Sequence, residues 1–286
     1  MLSTRQLVNS LTRQPRTMIC IDLEYRSWWC PWKRRVRGYA PSRWWEMDES
    51  HFLAIVRAIH GQISGDEYFA AMFGLPVRFV KYLDPWHRYV LDNQLKWMSS
   101  GESLTSRFFI RRIEGLVAPP EALSGVSFQQ FMTVDTFFAQ YSETVSEETP
   151  GGDIERLCKM VAALYLRTYE TYFIEKKGDK LVDIGGNAQM LSRRADRGRL
   201  YGVFMNWIMI RNWLSKAYPL LFPKPSEDEV KKADSHHHRN GWLDTFDAFM
   251  GDDIAHLDTY RKMAATDAFR IMNRRIRENM TRKLTS

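Results

Sequence analysis

From Leu200 to Leu214 the chain is apolar on nearly every side. A helix of that kind offers no face to water and must be buried. Its longest charge-free run, residues 200–210, spans 11 residues, far short of the roughly 20 that a bilayer requires. Protein therefore has to wrap it. The chain is equipped to do so: 286 residues, 44% of them hydrophobic and 26% charged, fit a folded globular protein of one large or two smaller domains.

Helix start and stop signals punctuate much of the rest. Asp48 is placed to cap a helix carrying Phe52, Leu53, Val56 and Ile59, with Gly61 as its stop. Ser64-Gly65-Asp66-Glu67 is a capping box for a second helix, which Gly74 ends. Leu75-Pro76 opens a short third helix. Asp84-Pro85 opens a fourth, carrying Trp86, Tyr89, Val90, Asn93 and Trp97. Ser127-Phe128-Gln129-Gln130 is a second capping box, for a helix through Phe131, Val134, Asp135 and Phe138 to about Tyr141. Residues 143–153 are acidic, contain Pro150-Gly151-Gly152 and read as a surface loop. Asp153 caps a helix with a broad apolar face (Ile154, Leu157, Val161, Leu164, Tyr165), expected to be central to the core.

Residues 175–186 read as a loop or weak hairpin. Residues 188–217 read as helix, broken near 196–198 and ended by Tyr218-Pro219. A linker at 223–234 is followed by a helix at 242–250 and a break at Gly251. Asp252 then caps a single helix running to about Lys283. The clearest β signal is residues 18–26, where Ile19, Ile21, Leu23 and Tyr25 alternate with Cys20, Asp22, Glu24 and Arg26. Residues 107–113 are a second strand candidate. The expected fold is mainly α, a multi-helix globular bundle with a minor strand or hairpin element near the N-terminus. Three regions are expected: a basic segment at 1–47, a helical core at 48–222, and a linker with a basic helical segment at 223–286.

Charge and tryptophan are concentrated together. The net charge is +7, and residues 1–45 hold nine Lys or Arg against two acids. Half of the ten tryptophans lie within residues 28–45. Trp28, Trp29, Trp32, Lys33, Arg34, Arg35, Arg37, Arg43, Trp44 and Trp45 are therefore candidate contact residues. Interleaved cations and aromatic faces suit a protein interface or phosphate contact with base stacking; the plainer alternative is that the tryptophans pack on the helical core. A second basic region is the last helix. Ala264, Ala268, Ile271 or Met272, Ile276 and Met280 form a stripe, flanked by Arg270, Arg274, Arg275, Arg277 and Arg282. It suits an acidic protein or nucleic acid, or simply docks on the body as a solvated helix.

Signatures of catalysis are missing from the sequence. There is no phosphate-binding Gly-rich loop, no Gly-x-Ser-x-Gly, no His-Glu-x-x-His and no Cys-x-x-Cys. His236, His237 and His238 are consecutive, so they cannot all face one ion on a regular element; a polar loop is the better reading. Asp244, Asp247, Asp252, Asp253, His256 and Asp258 are crowded, and Asp252 and His256 stand one helical turn apart. Capping and first-turn placement account for these acids, leaving a metal-dependent enzyme as the weaker alternative. No cofactor or metal is expected. The three cysteines, Cys20, Cys30 and Cys158, fit a reducing compartment better than a disulfide scaffold; Cys20 and Cys30 are close enough in sequence to meet across a hairpin. Residues 1–16 are polar and lack a secretory h-region, so the expected location is the cytoplasm.

Two stretches carry a family resemblance: residues 127–136 (Ser-Phe-Gln-Gln-Phe-Met-Thr-Val-Asp-Thr) and residues 160–165 (Met-Val-Ala-Ala-Leu-Tyr). A Phe-x-x-Phe-x-x-x-Asp stretch before an Ala-x-Leu-Tyr helix resembles tailed-phage and prophage morphogenesis proteins, in particular tail-assembly chaperones. Residues 201–207 and 251–254 resemble a later apolar helix and a C-terminal segment of the same proteins. The resemblance spans residues 50–280 loosely and leaves out the Trp/Arg-rich N-terminus. It implies a helical protein without a catalytic site that holds a protein client, such as a tail component, during assembly in the host cytoplasm; the basic balance of the chain suits an acidic client.

Overall fold

Alternation at residues 18–26 yields β1 (Ile19–Ser27), and β1 has a partner, β2 (Cys30–Ala40). They pair antiparallel, with Cys20 opposite Tyr39, Asp22 opposite Arg37, Leu23 opposite Val36 and Tyr25 opposite Arg34. Residues directly opposite share a face. One face thus takes Ile19, Ile21, Val36, Gly38 and Ala40, and the other takes Asp22, Arg35 and Arg37. Cys20 and Cys30 do not meet: Cys30 pairs with Ser27 at the turn and Cys20 lies near the far end.

In this computed structural model residues 18–27, 30–81, 83–99, 105–146, 149, 151–169, 183–222, 241–251 and 253–285 are described. They belong to two compact units, 1–103 and 104–286. Among the described residues the structure is mainly α, with eleven α-helices and two small antiparallel strand pairs.

The first unit holds the hairpin and α1 (Glu49–Ile59), α2 (Gly65–Phe73), α3 (Val77–Lys81) and α4 (Pro85–Leu95). Local chemistry sets each start. Asp48 accepts the His51 N–H at 2.9 Å, and Asp84 accepts that of His87 at 2.9 Å. Ser64 and Glu67 form both halves of the capping box. Phe52, Val56, Met72, Phe73 and Val80 are fully buried. β2 lies against the end of α2 so closely that a Cβ on Gly38 would come within 2.8 Å of the Phe73 carbonyl. Ile59, expected on the apolar face of α1, is 63% exposed at its last turn.

The second unit is built around α6 (Ile154–Leu164), whose residues from Met160 to Leu164 are all buried. α5 (Phe128–Ser142), α7 (Ile184–Arg194) and α8 (Arg197–Ala217) pack on it. The break between α7 and α8 falls at residues 195–196, just before the expected 196–198, since Arg197 and Gly198 already belong to α8. The loop expected over 175–186 ends sooner: 175–182 lie outside the described residues, and Asp183 caps α7 by accepting the Gly186 N–H at 2.8 Å. α8 buries Leu200, Val203, Trp207, Ile210 and Leu214 completely or nearly so, although Ile208 on its outer side is 37% exposed.

Three expectations need correction, each because a distant group takes over a local hydrogen bond. Residues 107–111 form no strand and bend at Phe109; of the expected 107–113 only Arg112–Ile113 (β3) pairs, with Leu116–Val117 (β4). The Asn206 side chain does the pairing instead. It accepts the Phe109 N–H at 2.7 Å and donates to the Arg107 carbonyl at 3.0 Å, while the Tyr165 hydroxyl donates to the Ile110 carbonyl at 2.7 Å. Second, Ser127 caps α5 by accepting the Gln130 N–H at 3.1 Å, but the Gln130 amide does not complete a box; it donates to the Ala163 carbonyl at 2.9 Å. Third, the single C-terminal helix is two, α10 (Leu257–Lys262) and α11 (Ala265–Thr285). The break is held by a bridge to residues 126–128: Phe128 N–H donates to Met263 at 2.8 Å and Ala265 N–H to Val126 at 2.9 Å.

α9 (Gly241–Met250) closes this unit through an aromatic cluster. Phe128 touches Trp242, Phe246, Phe249 and Phe269, and Phe131 touches Trp207, Trp242 and Phe269, mostly edge to face. Inside it sits Asp135, 5% exposed. Its carboxylate accepts the Trp242 indole N–H at 2.7 Å and that of Trp207 at 3.3 Å, and pairs with Arg211 at 3.4 Å. Replacing Asp135 with Leu strands two indole donors and a cation. The expected loss is about 3–5 kcal/mol of unfolding free energy, against a smaller loss for Asp135→Asn, which keeps an acceptor. Urea denaturation of the two variants checks this; equal losses would contradict the role given to the carboxylate.

Candidate interaction surface

The N-terminal candidates divide into three groups. Trp28 and Trp29 lie outside the described residues. Trp32, Lys33 and Arg34 are on β2, where only their backbone is described. Arg35 and Arg37 share a face of the hairpin with Asp22, which stands opposite Arg37. Arg37 donates to Asp22 at 2.8 Å, and that bond and charge hold its guanidinium even more firmly protonated. Asp22 thus offsets part of the basic charge counted in the sequence.

The turn after β2 is different. Trp44 is half-buried and meets the Trp97 ring edge-on at 5.3 Å. Its neighbour Trp45 is 54% exposed, with the Arg43 guanidinium 4.8 Å above its ring. Beside Trp97 in sequence, Lys96 stands 5.8 Å from the Tyr89 ring, and Tyr89 lies 5.9 Å from Trp86. Tyr89 and Trp86 are 55% and 68% exposed. The Trp44–Trp97 contact holds the turn after β2 against the segment that follows α4, and each segment carries an exposed cation–aromatic group, Arg43 with Trp45 and Lys96 with Tyr89 and Trp86.

Sequence alone places Trp86 and Tyr89 on one helix with Val90, Asn93 and Trp97 and singles out neither them nor Lys96 as contact residues. The residues of α4 that are buried are Leu91 and Leu95. At 100° per residue, a face centred on that pair places Trp86 and Tyr89 far round the helix. That spacing was the available signal.

The C-terminal candidates are only partly available for a partner. Arg275 donates to the Phe249 carbonyl at 2.6 Å, with its guanidinium 5.3 Å from the Phe249 ring; it anchors α11 to α9. Arg270 pairs with Asp267 at 3.1 Å and Arg274 with Glu278 at 3.7 Å, both within α11. Arg277 is exposed on α11, as are Glu278, Thr281 and Arg282 around it. Ala268 and Met272 are buried, whereas Met280 is 53% exposed.

Of the metal candidates, His236, His237, His238 and Asp252 lie outside the described residues. His256 contacts Asp253 at 2.7 Å, and the Tyr260 hydroxyl donates to the same carboxylate. His256 and then Tyr260 hold Asp253 below the usual carboxylate range. Among the described residues no group of three or more His, Cys, Asp or Glu is arranged to hold a metal ion, and no helix is long and apolar enough to cross a membrane. Cys158 is fully buried, which pushes its thiol up to about 11; Cys20 is exposed. No protein-family model, curated protein or solved structure matches the chain.

Two measurements separate surface from core. Trp44→Ala is expected to cost about 2 kcal/mol of stability through its lost packing, and Trp45→Ala no more than about 1 kcal/mol, read by denaturant titration. Because the thiolate is the reactive form, iodoacetamide at pH 8 should label Cys20 in the native protein and Cys158 only after unfolding, read by mass spectrometry; rapid native labelling of Cys158 would contradict its burial.

Proposed function

We propose that this is a non-enzymatic binding protein that holds a protein client on the aromatic surface of its first unit. The observation that carries this reading is the exposure of Trp45, Tyr89 and Trp86, with Arg43 over the Trp45 ring and Lys96 over that of Tyr89, in segments tied by the Trp44–Trp97 contact. Large exposed aromatics are costly to keep in water, and joined exposed apolar groups mark interaction sites. Trp, Tyr and Arg are also the residue types that most often anchor protein interfaces. The role that the resemblance implies, holding a tail component during phage assembly in the host cytoplasm, needs such a surface and no catalytic machinery. The stretches that carry the resemblance, on α5 and α6, include buried Phe128, Phe131, Val134 and Met160 to Tyr165, so they bear on the fold of the second unit rather than on the contact surface.

The test is co-expression with the products of the adjacent genes, comparing the natural chain with a Trp45→Ser/Trp86→Ser/Tyr89→Ser variant. The expected outcome is stoichiometric co-purification of one gene product with the natural chain and at least a ten-fold loss with the variant. Equal recovery by both, with the variant folded by circular dichroism, would overturn the reading.

A further inference from the structure

The second unit carries a cationic cluster that is not contiguous in sequence. Arg193 and Arg194 end α7, and Arg197 and Arg199 open α8 two residues later. Arg199 reaches across 87 positions to donate to the Arg112 carbonyl at 3.1 Å. That bond places the β3–β4 hairpin, with Arg111 and Arg112, beside the junction of α7 and α8. Arg111, Arg112, Arg193, Arg194 and Arg197 are all exposed. The same segments contain two acids, Glu114 and Asp196.

We propose that this arginine cluster binds the phosphate backbone of nucleic acid. Three features favour phosphate over an acidic protein. Every cation in the cluster is arginine, whose planar fork makes paired bonds to phosphate oxygens. The segments carry no large exposed apolar side chain, whereas a protein interface is anchored by one. Finally, the arginines come from two segments, a hairpin and a helix junction, tied by the Arg199–Arg112 bond, and a duplex that carries a charge every ~1.7 Å of axis offers a phosphate to each. Pairing with acids of the same helix, as at Arg270 and Arg274 in α11, is limited here to the reach of Glu114 and Asp196. The site lies in the other unit from the aromatic surface, so it stands or falls independently of the protein-client reading.

The probe is a fluorescein-labelled 20-base-pair DNA duplex of mixed sequence, titrated with the full-length protein by anisotropy between 50 and 300 mM NaCl. Arg199 is left intact because it holds the hairpin. The variants are Arg111→Ala/Arg112→Ala/Arg194→Ala/Arg197→Ala and, as a second charge change, Arg193→Glu/Arg197→Glu. Each is checked for an unchanged thermal midpoint, and Trp45→Ser/Trp86→Ser/Tyr89→Ser serves as the control. The natural chain and the control should bind at 50 mM salt. The quadruple variant should bind at least ten-fold more weakly, with a log–log salt slope shallower by about 3, and the glutamate variant should bind more weakly still per site changed. No binding of the natural chain at 50 mM salt overturns the proposal, as does undiminished binding by either folded variant. Binding of phosphatidylserine vesicles without binding of the duplex also overturns it, in favour of a membrane surface.

Discussion

A carboxylate buried among aromatic rings organises the second unit. Charge in such a place is tolerable only when it is paired and fully hydrogen-bonded. Asp135 meets that condition with donors from two other helices: Trp207 and Arg211 on α8, and Trp242 on α9. The rings around it pack well but without strong direction, and Phe131 alone touches three other aromatic residues besides Trp242. Edge-to-face contacts tolerate sliding; an indole N–H aimed at a carboxylate oxygen does not. The carboxylate thus sets which turn of α8 and α9 faces α5, and the hydrophobic area supplies most of the free energy.

Interactions that close within four residues were legible in the sequence. Asp48, Ser64, Asp84, Ser127 and Asp153 all cap helices, since a cap needs only its own helix's first turn. The alternation of β1 was legible for the same reason. β2 was harder to see because Trp32, Arg34, Val36, Gly38 and Ala40 do not form a uniformly apolar row, and Lys33, Arg35 and Arg37 read as a charge run rather than one face of a strand. What stayed hidden depends on sequence-distant partners. Asn206 looked like one polar residue in an apolar helix, yet it is the hydrogen-bonding partner of residues 107 and 109. Nothing near residue 264 announced the bridge to residue 127 that divides the last helix.

The candidate surface shows the same division. Counting charge picked out residues 26–45, but a count does not know that Asp22 and Glu24 stand opposite Arg37 and Arg35. The exposed aromatics of α4 and the arginines at 111–112 and 193–199 emerge only when a Trp–Trp contact and an Arg–carbonyl bond join distant segments. Arg275 is the converse case. It belongs to a basic helix, but its guanidinium is engaged by the Phe249 carbonyl and ring, so it holds α11 to α9 as well as adding charge.

The two proposed surfaces differ in physical kind. Burial of Trp45, Tyr89 and Trp86 against a client depends on removing apolar area from water, which moderate salt changes little. Arginine–phosphate contact depends on releasing counterions, and it weakens steeply as salt rises. A chain that used both would shed nucleic acid while keeping its protein client as ionic strength increased. The cation–aromatic groups lie between these limits, since Arg43 and Lys96 add a charge-dependent part to a contact whose main component is the ring. The protein surface should therefore show a shallow salt dependence and the arginine cluster a steep one, a difference that follows from the side-chain chemistry alone.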